Sequence, residues 1–267
     1  MSTRVEHQPA FILHRRPYRE TSWLLDVVTP DYGKVSLVAK GARRGKAPDA
    51  SLYQPFQPVL ISWLGKSDLK TLSGLEARRL APEAQELQQR GLSGQWLFAG
   101  FYLNELLEFL LVEQESSPYL FALYEAALLG LRAQQPLEPL LRYFEKNLLE
   151  ELGFGASFDQ DAETGEPIEA GANYLFLPQK GCLRLDPQAR SAYDSCSSVP
   201  DEAATAPGKA LVVPGEALLA IAEHDFSTPQ CLKYAKRIMR LCIDDLLNGR
   251  KLRSRELFRH YKESQRA

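Results

Sequence analysis

The chain has 267 residues and a formal net charge of −2; 45% of its residues are hydrophobic and 25% are charged, as is typical of a globular protein of about two domains. No run of about 18 apolar residues is present, which excludes a membrane-spanning helix, and the first ten residues lack the apolar core of a secretory signal, so we expect a cytoplasmic protein. Its four cysteines form no Cys-x-x-Cys pair, which excludes ordinary zinc-finger spacing and indicates buried structural thiols.

The first 80 residues have the pattern of β-strands. Five short runs of β-forming or alternating residues are separated by turn signals such as Pro30-Asp31-Tyr32-Gly33. The runs are 10–14, 22–28, 34–40, 59–64 and 69–75. A polar loop, 41–51, separates the third run from the fourth. Five strands in so short a segment predict a small closed barrel of the OB type.

From about residue 80 the pattern becomes helical. Ser93 is the predicted N-cap of a long helix, because apolar residues recur after it every three or four positions. Pro118 opens a second helix, to Arg132, and Pro139 opens a third, which Gly153 ends.

Residues 155–210 are rich in Gly, Pro, Ser, Ala and Asp and predict irregular structure with one hairpin, 174–177 and 181–185. Two helices follow, one from Pro214 and one from Thr228-Pro229 to about Leu247. We therefore predict an α+β protein. Its segments are an OB-fold nucleic-acid-binding domain (1–80), a helical domain (81–155), an insertion (156–210) and a second helical part with a basic end (211–267).

Motifs of bond-making chemistry are absent from the sequence. The four histidines lie far apart, and neither Gly-x-Ser-x-Gly nor His-Glu-x-x-His occurs. The loop from Gly41 to Ala47 is not a P-loop, because only three residues separate Gly41 from Gly45 and Ala47 follows the lysine. We expect a protein that is not an enzyme and needs no cofactor, with a hydrolase site assembled from distant residues as one alternative.

Charge is distributed very unevenly along the chain. Residues 1–80 hold 13 basic and 7 acidic residues, residues 81–230 hold 8 and 23, and residues 231–267 hold 11 and 4. Basic ends around an acidic middle indicate a polyanion-binding surface, since Lys and Arg neutralise phosphates and release counterions.

The candidate nucleic-acid-binding residues lie in the two basic segments. They are Arg15, Arg16, Arg19, Lys34, Lys40, Arg43, Arg44 and Lys46, and then Lys233, Arg237, Arg240, Arg253 and Arg255. Tyr18 and Trp23 either offer faces for base stacking or pack in the core. An RNA-binding OB module with a helical appendage is the second alternative function.

Several stretches resemble the bacterial RecO family of DNA recombination and repair mediators. In chain order they are 10–22, 33–43, Tyr102-Leu103-Asn104-Glu105-Leu106-Leu107, 141–145, 152–155 and Leu252-Arg253-Ser254-Arg255-Glu256-Leu257-Phe258. The resemblance implies an N-terminal OB barrel, an all-α domain and a zinc-finger-like insertion. It also implies a function: binding single- and double-stranded DNA, annealing complementary strands, and working with RecR to load RecA onto DNA coated by single-strand-binding protein (SSB). A nucleoid-associated location follows from it.

Two site predictions follow from this resemblance. Many members carry two Cys-x-x-Cys pairs in the insertion, but here Asp161 and Thr164 stand at the first pair, and Arg184 and Pro187 lie near the second. We therefore predict no bound zinc, which metal analysis would test.

The helical domain is also expected to bind the acidic tail of SSB. Arg142, with Leu141 and Tyr143, is the candidate for that contact, because it is one of few cations in the acidic middle. The alternative for Arg142 is an intramolecular ion pair with Glu138 or Glu145.

Overall fold

The computed structural model describes residues 4–44, 50–185 and 210–264. The chain divides into two compact units: Met1–Leu137 with Leu252–Ala267, and Glu138–Lys251. We call them unit 1 and unit 2. They group the chain differently from the four predicted segments, since the C-terminal residues are counted with the barrel. No helix in the described ranges is long and apolar enough to cross a membrane.

Unit 1 contains a closed five-stranded barrel. Its strands are β1 (Arg4–Tyr18), β2 (Ser22–Thr29), β3 (Gly33–Ala39), β4 (Pro58–Leu64) and β5 (Leu69–Ala77). They pair in the order β1-β2-β3-β5-β4, with β1 also pairing β4 and with β3 and β5 parallel. Alternate side chains, among them Ile12, Leu25 and Trp63, fill the interior. The predicted barrel and the α+β class are confirmed.

Strand β1 is three times as long as the predicted run 10–14. Its N-terminal half pairs with β4 and its C-terminal half with β2, and the register shifts between Ile12 and His14. Such a shift bends a strand, which lets one strand serve two neighbours around the barrel. The residues on either side of the predicted run have no continuous apolar pattern, although they pair with β4 and β2.

The described residues contain seven α-helices. They are α1 (Pro82–Gln89), α2 (Gly94–Leu110), α3 (Pro118–Arg132), α4 (Leu137–Glu151), α5 (Gly215–Ala222), α6 (Pro229–Leu246) and α7 (Arg253–Ser264). The predicted starts near Ser93, Pro118 and Thr228 are confirmed, and the Ser117 and Thr228 hydroxyls cap α3 and α6. Helices α1 and α7 were not predicted.

Two neighbouring side chains of α2 join it to the rest of unit 1. The Asn104 amide donates to the Leu13 carbonyl of β1 at 2.7 Å, and the Tyr124 hydroxyl of α3 donates to Asn104 at 2.5 Å. The Glu105 carboxylate accepts from the backbone N–H of Arg253 at 3.0 Å and of Ser254 at 2.8 Å. It therefore satisfies the first donors of α7 and lies at the positive end of that helix dipole.

Unit 2 combines α4, α5 and α6 with a three-stranded sheet. The predicted hairpin is present as β6 (Asn173–Leu177) and β7 (Gly181–Arg184), and an unpredicted third strand, β8 (Leu211–Pro214), pairs with the other side of β6. Tyr174 and Phe176 of β6 are buried in the core of this unit.

The Asp161 carboxylate links two separate segments of unit 2. One oxygen accepts from the backbone N–H of Glu163 and Thr164, both at 2.9 Å, and the other accepts from the N–H of Arg184 at 2.6 Å. The neighbouring Cys182 is fully buried, and burial raises the pKa of its thiol to about 12. A carboxylate therefore connects the 161–164 turn to strand β7.

Replacing Asp161 with Asn should destabilise unit 2 by about 1–3 kcal/mol, because one carboxylate oxygen becomes an amide group that repels the backbone donors. Burial raises the pKa of Asp161, but the hydrogen bonds from Thr164, Glu163 and Arg184 outweigh it and leave the pKa below its usual value. The carboxylate thus stabilises the fold above its unfolded pKa of about 4, and this contribution disappears as the pH falls through the lower folded pKa.

Urea unfolding of the wild type and of the Asp161→Asn variant at pH 7 and pH 3 measures the difference between their free energies of unfolding. We expect this difference to be smaller at pH 3 than at pH 7. An Asp159→Asn variant, altered at an exposed carboxylate two residues away, is the control. A gap that is equal at both pH values would contradict this function for Asp161.

Candidate nucleic-acid interface

The hairpin between β1 and β2 presents arginines at one end of the barrel. Arg15 pairs with Leu25, Pro17 with Trp23, and Tyr18 with Ser22. Since alternate residues of a strand share a face, Arg15 and Trp23 lie on the same side of this hairpin. The Arg15 guanidinium carbon is 4.9 Å from the centre of the Trp23 ring, within cation–π range.

The turn after β3 folds against the tip of the same hairpin. The Arg43 backbone N–H donates to the Thr21 carbonyl at 2.9 Å, and its guanidinium donates to the Arg19 carbonyl at 3.3 Å. The Arg43 guanidinium carbon also lies 5.2 Å from the Trp23 ring centre. Trp23 therefore holds one arginine of strand β1 and one of the turn after β3 close to each other.

These contacts bring Arg15, Arg19 and Arg43 together, and three further predicted cations adjoin them in sequence in β1 and in the turn after β3. We call the group the barrel-end cluster. It consists of Arg15, Arg16, Arg19, Lys40, Arg43 and Arg44. Arg15 is half-buried and the other five are exposed. Within the described ranges, none of the six forms an ion pair with a carboxylate, so their charges are available to an external anion.

Two other predicted cations of this segment do not belong to the cluster. Lys34 lies at the opposite end of β3 from Lys40, about 20 Å away along the strand, and its ammonium donates to the Glu108 carbonyl at 2.7 Å. Lys46 falls outside the described residues.

The cations of α6 do not line one exposed face. Lys233 is exposed, whereas Arg237 is only 8% exposed and Arg240 lies 3.6 Å from the Asp244 carboxylate. The spacing predicts one side of the helix for these residues, but Arg237 on that side is buried.

The two remaining predicted cations belong to unit 1. Arg253 is exposed at the start of α7, and the Arg255 guanidinium carbon lies 5.6 Å from the Tyr102 ring centre of α2. The basic C-terminal segment is thus divided between the units: Lys233, Arg237 and Arg240 lie in unit 2, while Arg253 and Arg255 are in the unit of the barrel.

Arg142 is buried within unit 2. Its side chain is 6% exposed and donates to the 2%-exposed Glu145 carboxylate at 2.7 Å, with Glu138 at 3.8 Å. The structure thus contains the intramolecular pair that the sequence left open as the alternative. The Tyr143 ring is exposed and lies 5.2 Å from His224, and Leu141 is half-buried.

Comparison with known proteins covers nearly the whole chain. Residues 1–80 match the family model described as "Recombination protein O N terminal", and residues 93–256 match "Recombination protein O C terminal". Similar proteins named DNA repair protein RecO occur in Marinobacter nauticus, at 40% identity over 97% of this chain and 96% of that protein, and in Cellvibrio japonicus, at 42% over 96% and 97%. A Pseudomonas aeruginosa protein of the same name is 43% identical over 97% of both chains.

These matches extend over both compact units, the barrel and the helices alike. RecO proteins are DNA repair mediators and not catalytic enzymes, which agrees with the function expected from the sequence. The chain belongs to the RecO family of DNA repair proteins.

Proposed function

We propose that this protein binds single- and double-stranded DNA through the barrel-end cluster, anneals complementary strands and assists the loading of RecA onto SSB-coated DNA. The observation that carries the DNA-binding part is the cluster itself, six cations at one end of the barrel with no carboxylate partner among the described residues. Phosphates release counterions when such cations neutralise them, which supplies affinity for any sequence.

The arrangement around Trp23 favours backbone contacts over base stacking. Arg15 and Arg43 both lie over the indole, so a base would have to displace a guanidinium to stack there. The ring instead restricts the rotamers of the two arginines, which lowers the entropy lost when they bind phosphate. Recognition of this kind accepts single strands and duplexes alike and reads no sequence.

Annealing follows from the same electrostatics. Two complementary strands repel each other through their phosphates, and a protein that neutralises one backbone lowers that repulsion while leaving the bases exposed for pairing. No bond is made or broken, so no catalytic residue is needed.

The partners RecR, SSB and RecA enter this proposal through the family. Binding of the acidic SSB tail to Leu141, Arg142 and Tyr143 stays a prediction. It requires the Arg142 guanidinium to leave the Glu145 carboxylate and to pair with the carboxylate of the tail. The net negative charge of residues 81–230 supports protein contacts over DNA contacts for this part of the chain.

A strand-annealing assay with labelled complementary oligonucleotides, with and without SSB, tests the proposal. We expect the protein to accelerate duplex formation from free and from SSB-coated strands. Failure to accelerate annealing in both conditions would refute it. Addition of single-stranded RNA as a competitor distinguishes the alternative: an RNA-binding module would prefer RNA to DNA of the same sequence.

A further inference from the structure

Three side chains with metal-ligating atoms meet where the barrel packs against α2 in unit 1. They are His14 of β1, Asp26 of β2 and Glu108 of α2. His14 Nδ1 lies 3.9 Å from Asp26 Oδ2 and 3.9 Å from Glu108 Oε1, and all three potential ligand atoms lie within 4.8 Å of one another. Among the residues that the structure describes, this is the one such group.

The fold brings these residues together through defined contacts. His14 and Asp26 are partners in the β1–β2 register. Glu108 lies four residues after Asn104, whose amide bonds to the Leu13 carbonyl, so both side chains are on the face of α2 that meets β1. The position of Glu108 relative to the hairpin is therefore fixed one helical turn away.

One carboxylate oxygen of the group, Asp26 Oδ2, accepts no hydrogen bond from the described residues. The Asp26 side chain is only 10% exposed; its Oδ1 accepts from the Ser36 hydroxyl at 2.7 Å, but within the described ranges no hydrogen bond reaches its Oδ2. His14 Nδ1, at 3.9 Å, is too distant to donate to it. Since no donor of the protein occupies this oxygen, its lone pairs remain available to a ligand that enters the group.

The nearest lysine does not fill that role. The Lys34 ammonium donates to the main-chain carbonyl of Glu108 and not to either carboxylate. Two carboxylates thus lie close together, one of them nine-tenths buried, with no direct hydrogen bond to a cation.

We propose that His14, Asp26 and Glu108 bind a divalent first-row transition ion, Zn²⁺ in the first instance. One imidazole and two carboxylates form a mixed nitrogen and oxygen set that suits Zn²⁺. Ligand bonds of about 2.0–2.2 Å separate neighbouring ligand atoms by about 3–3.5 Å. The two separations from His14, both 3.9 Å, would therefore shorten by roughly half an ångström. The separation between the two carboxylates, at most 4.8 Å, would shorten by up to about 1.5 Å. The half-exposed His14 ring leaves the ion accessible to solvent, with an open position for water.

Such an ion would connect β1, β2 and α2 directly. It belongs to unit 1, whereas the insertion for which the family suggests zinc belongs to unit 2, and it uses no cysteine. Because it binds the folded arrangement of three separate elements, it would stabilise unit 1 increasingly as the logarithm of its concentration rises above Kd.

Calorimetric titration of the metal-free full-length protein with Zn²⁺ tests this site. We expect one binding event that His14→Ala and Glu108→Gln each weaken by about 100-fold or more, since even the loss of an outer partner of a metal ligand costs 10–100-fold. His7→Ala is the matched control, because His7 lies on the same strand beside a single carboxylate, Glu76, at 3.6 Å. It should leave the affinity unchanged.

Thermal unfolding supplies a second readout that does not depend on the heat signal. Zn²⁺ should raise the Tm of the wild-type protein and of His7→Ala, but not of His14→Ala or Glu108→Gln. Absence of Zn²⁺ binding, or binding that both site variants retain, would overturn the proposal. DNA affinity in metal-free buffer should be the same for wild type and Glu108→Gln, so the two proposals fail separately.

Discussion

Replacement of Arg15, Arg43 and Arg44 with glutamine is expected to weaken binding to duplex DNA roughly 100-fold at 0.15 M salt. Each phosphate contact that releases a counterion contributes about fivefold under these conditions, and three such contacts multiply. Glutamine keeps most of the side-chain length and its packing on Trp23, so the variant removes charge and leaves the fold intact. Fluorescence anisotropy with a labelled 20-base-pair duplex measures the change.

The control must remove the same charge elsewhere. Arg79, Arg90 and Lys180 are exposed and lie outside the cluster, and their replacement with glutamine changes the net charge by the same amount. We expect this variant to bind within about threefold of the wild type. If both triple variants lost affinity equally, overall charge and not the barrel-end cluster would account for binding.

Replacement of Arg142 with methionine should destabilise the protein by about 3 kcal/mol. The Glu145 carboxylate, 2% exposed, would lose the Arg142 guanidinium at 2.7 Å, and removing one charge of a buried ion pair costs more than removing both. Methionine fills a similar volume, so the loss reports mainly on charge. Urea unfolding followed by circular dichroism measures it.

The double variant Arg142→Met/Glu145→Gln separates this explanation from a simple packing defect. Removal of the second charge should recover most of the lost stability, because the buried carboxylate that faced Arg142 is then neutral as well. A single variant as stable as the wild type would show that the pair has no stabilising role.

The same proteins test the SSB prediction. If the folded double variant binds the SSB tail with the affinity of the wild type, Arg142 takes no part in that contact.

Most of the architecture could be predicted from local patterns. The barrel strands are short runs of β-forming or alternating residues, and the helices α3 and α6 begin at a Ser or Thr cap followed by proline. Helix α7 has no such apolar period, since charged residues dominate it and the cap of its first turn comes from Glu105, which is distant in sequence. The four-residue strand β8 is too short to give a signal and depends on its pairing with β6.

The candidate sites that depend on local sequence could be predicted, and those that depend on contacts between distant residues could not. The barrel-end cluster could be predicted because its residues lie in two short segments, the end of the β1–β2 hairpin and the turn after β3. Whether Arg142 and Arg237 are exposed depends on what packs over their helices, which helical spacing does not contain. The sequence did not predict the group of His14, Asp26 and Glu108. Glu108 is 82 residues from Asp26 in the chain and lies near it only because α2 packs on the barrel.

The salt dependence of DNA binding tests the barrel-end cluster most directly. The logarithm of the association constant, measured from 0.05 to 0.3 M salt, falls with a slope that counts the phosphates neutralised. We expect the Arg15/Arg43/Arg44 variant to reduce that slope by about 3 and the matched control to leave it unchanged. A slope that is the same in the wild type and in the cluster variant would show that these arginines do not contact the DNA backbone.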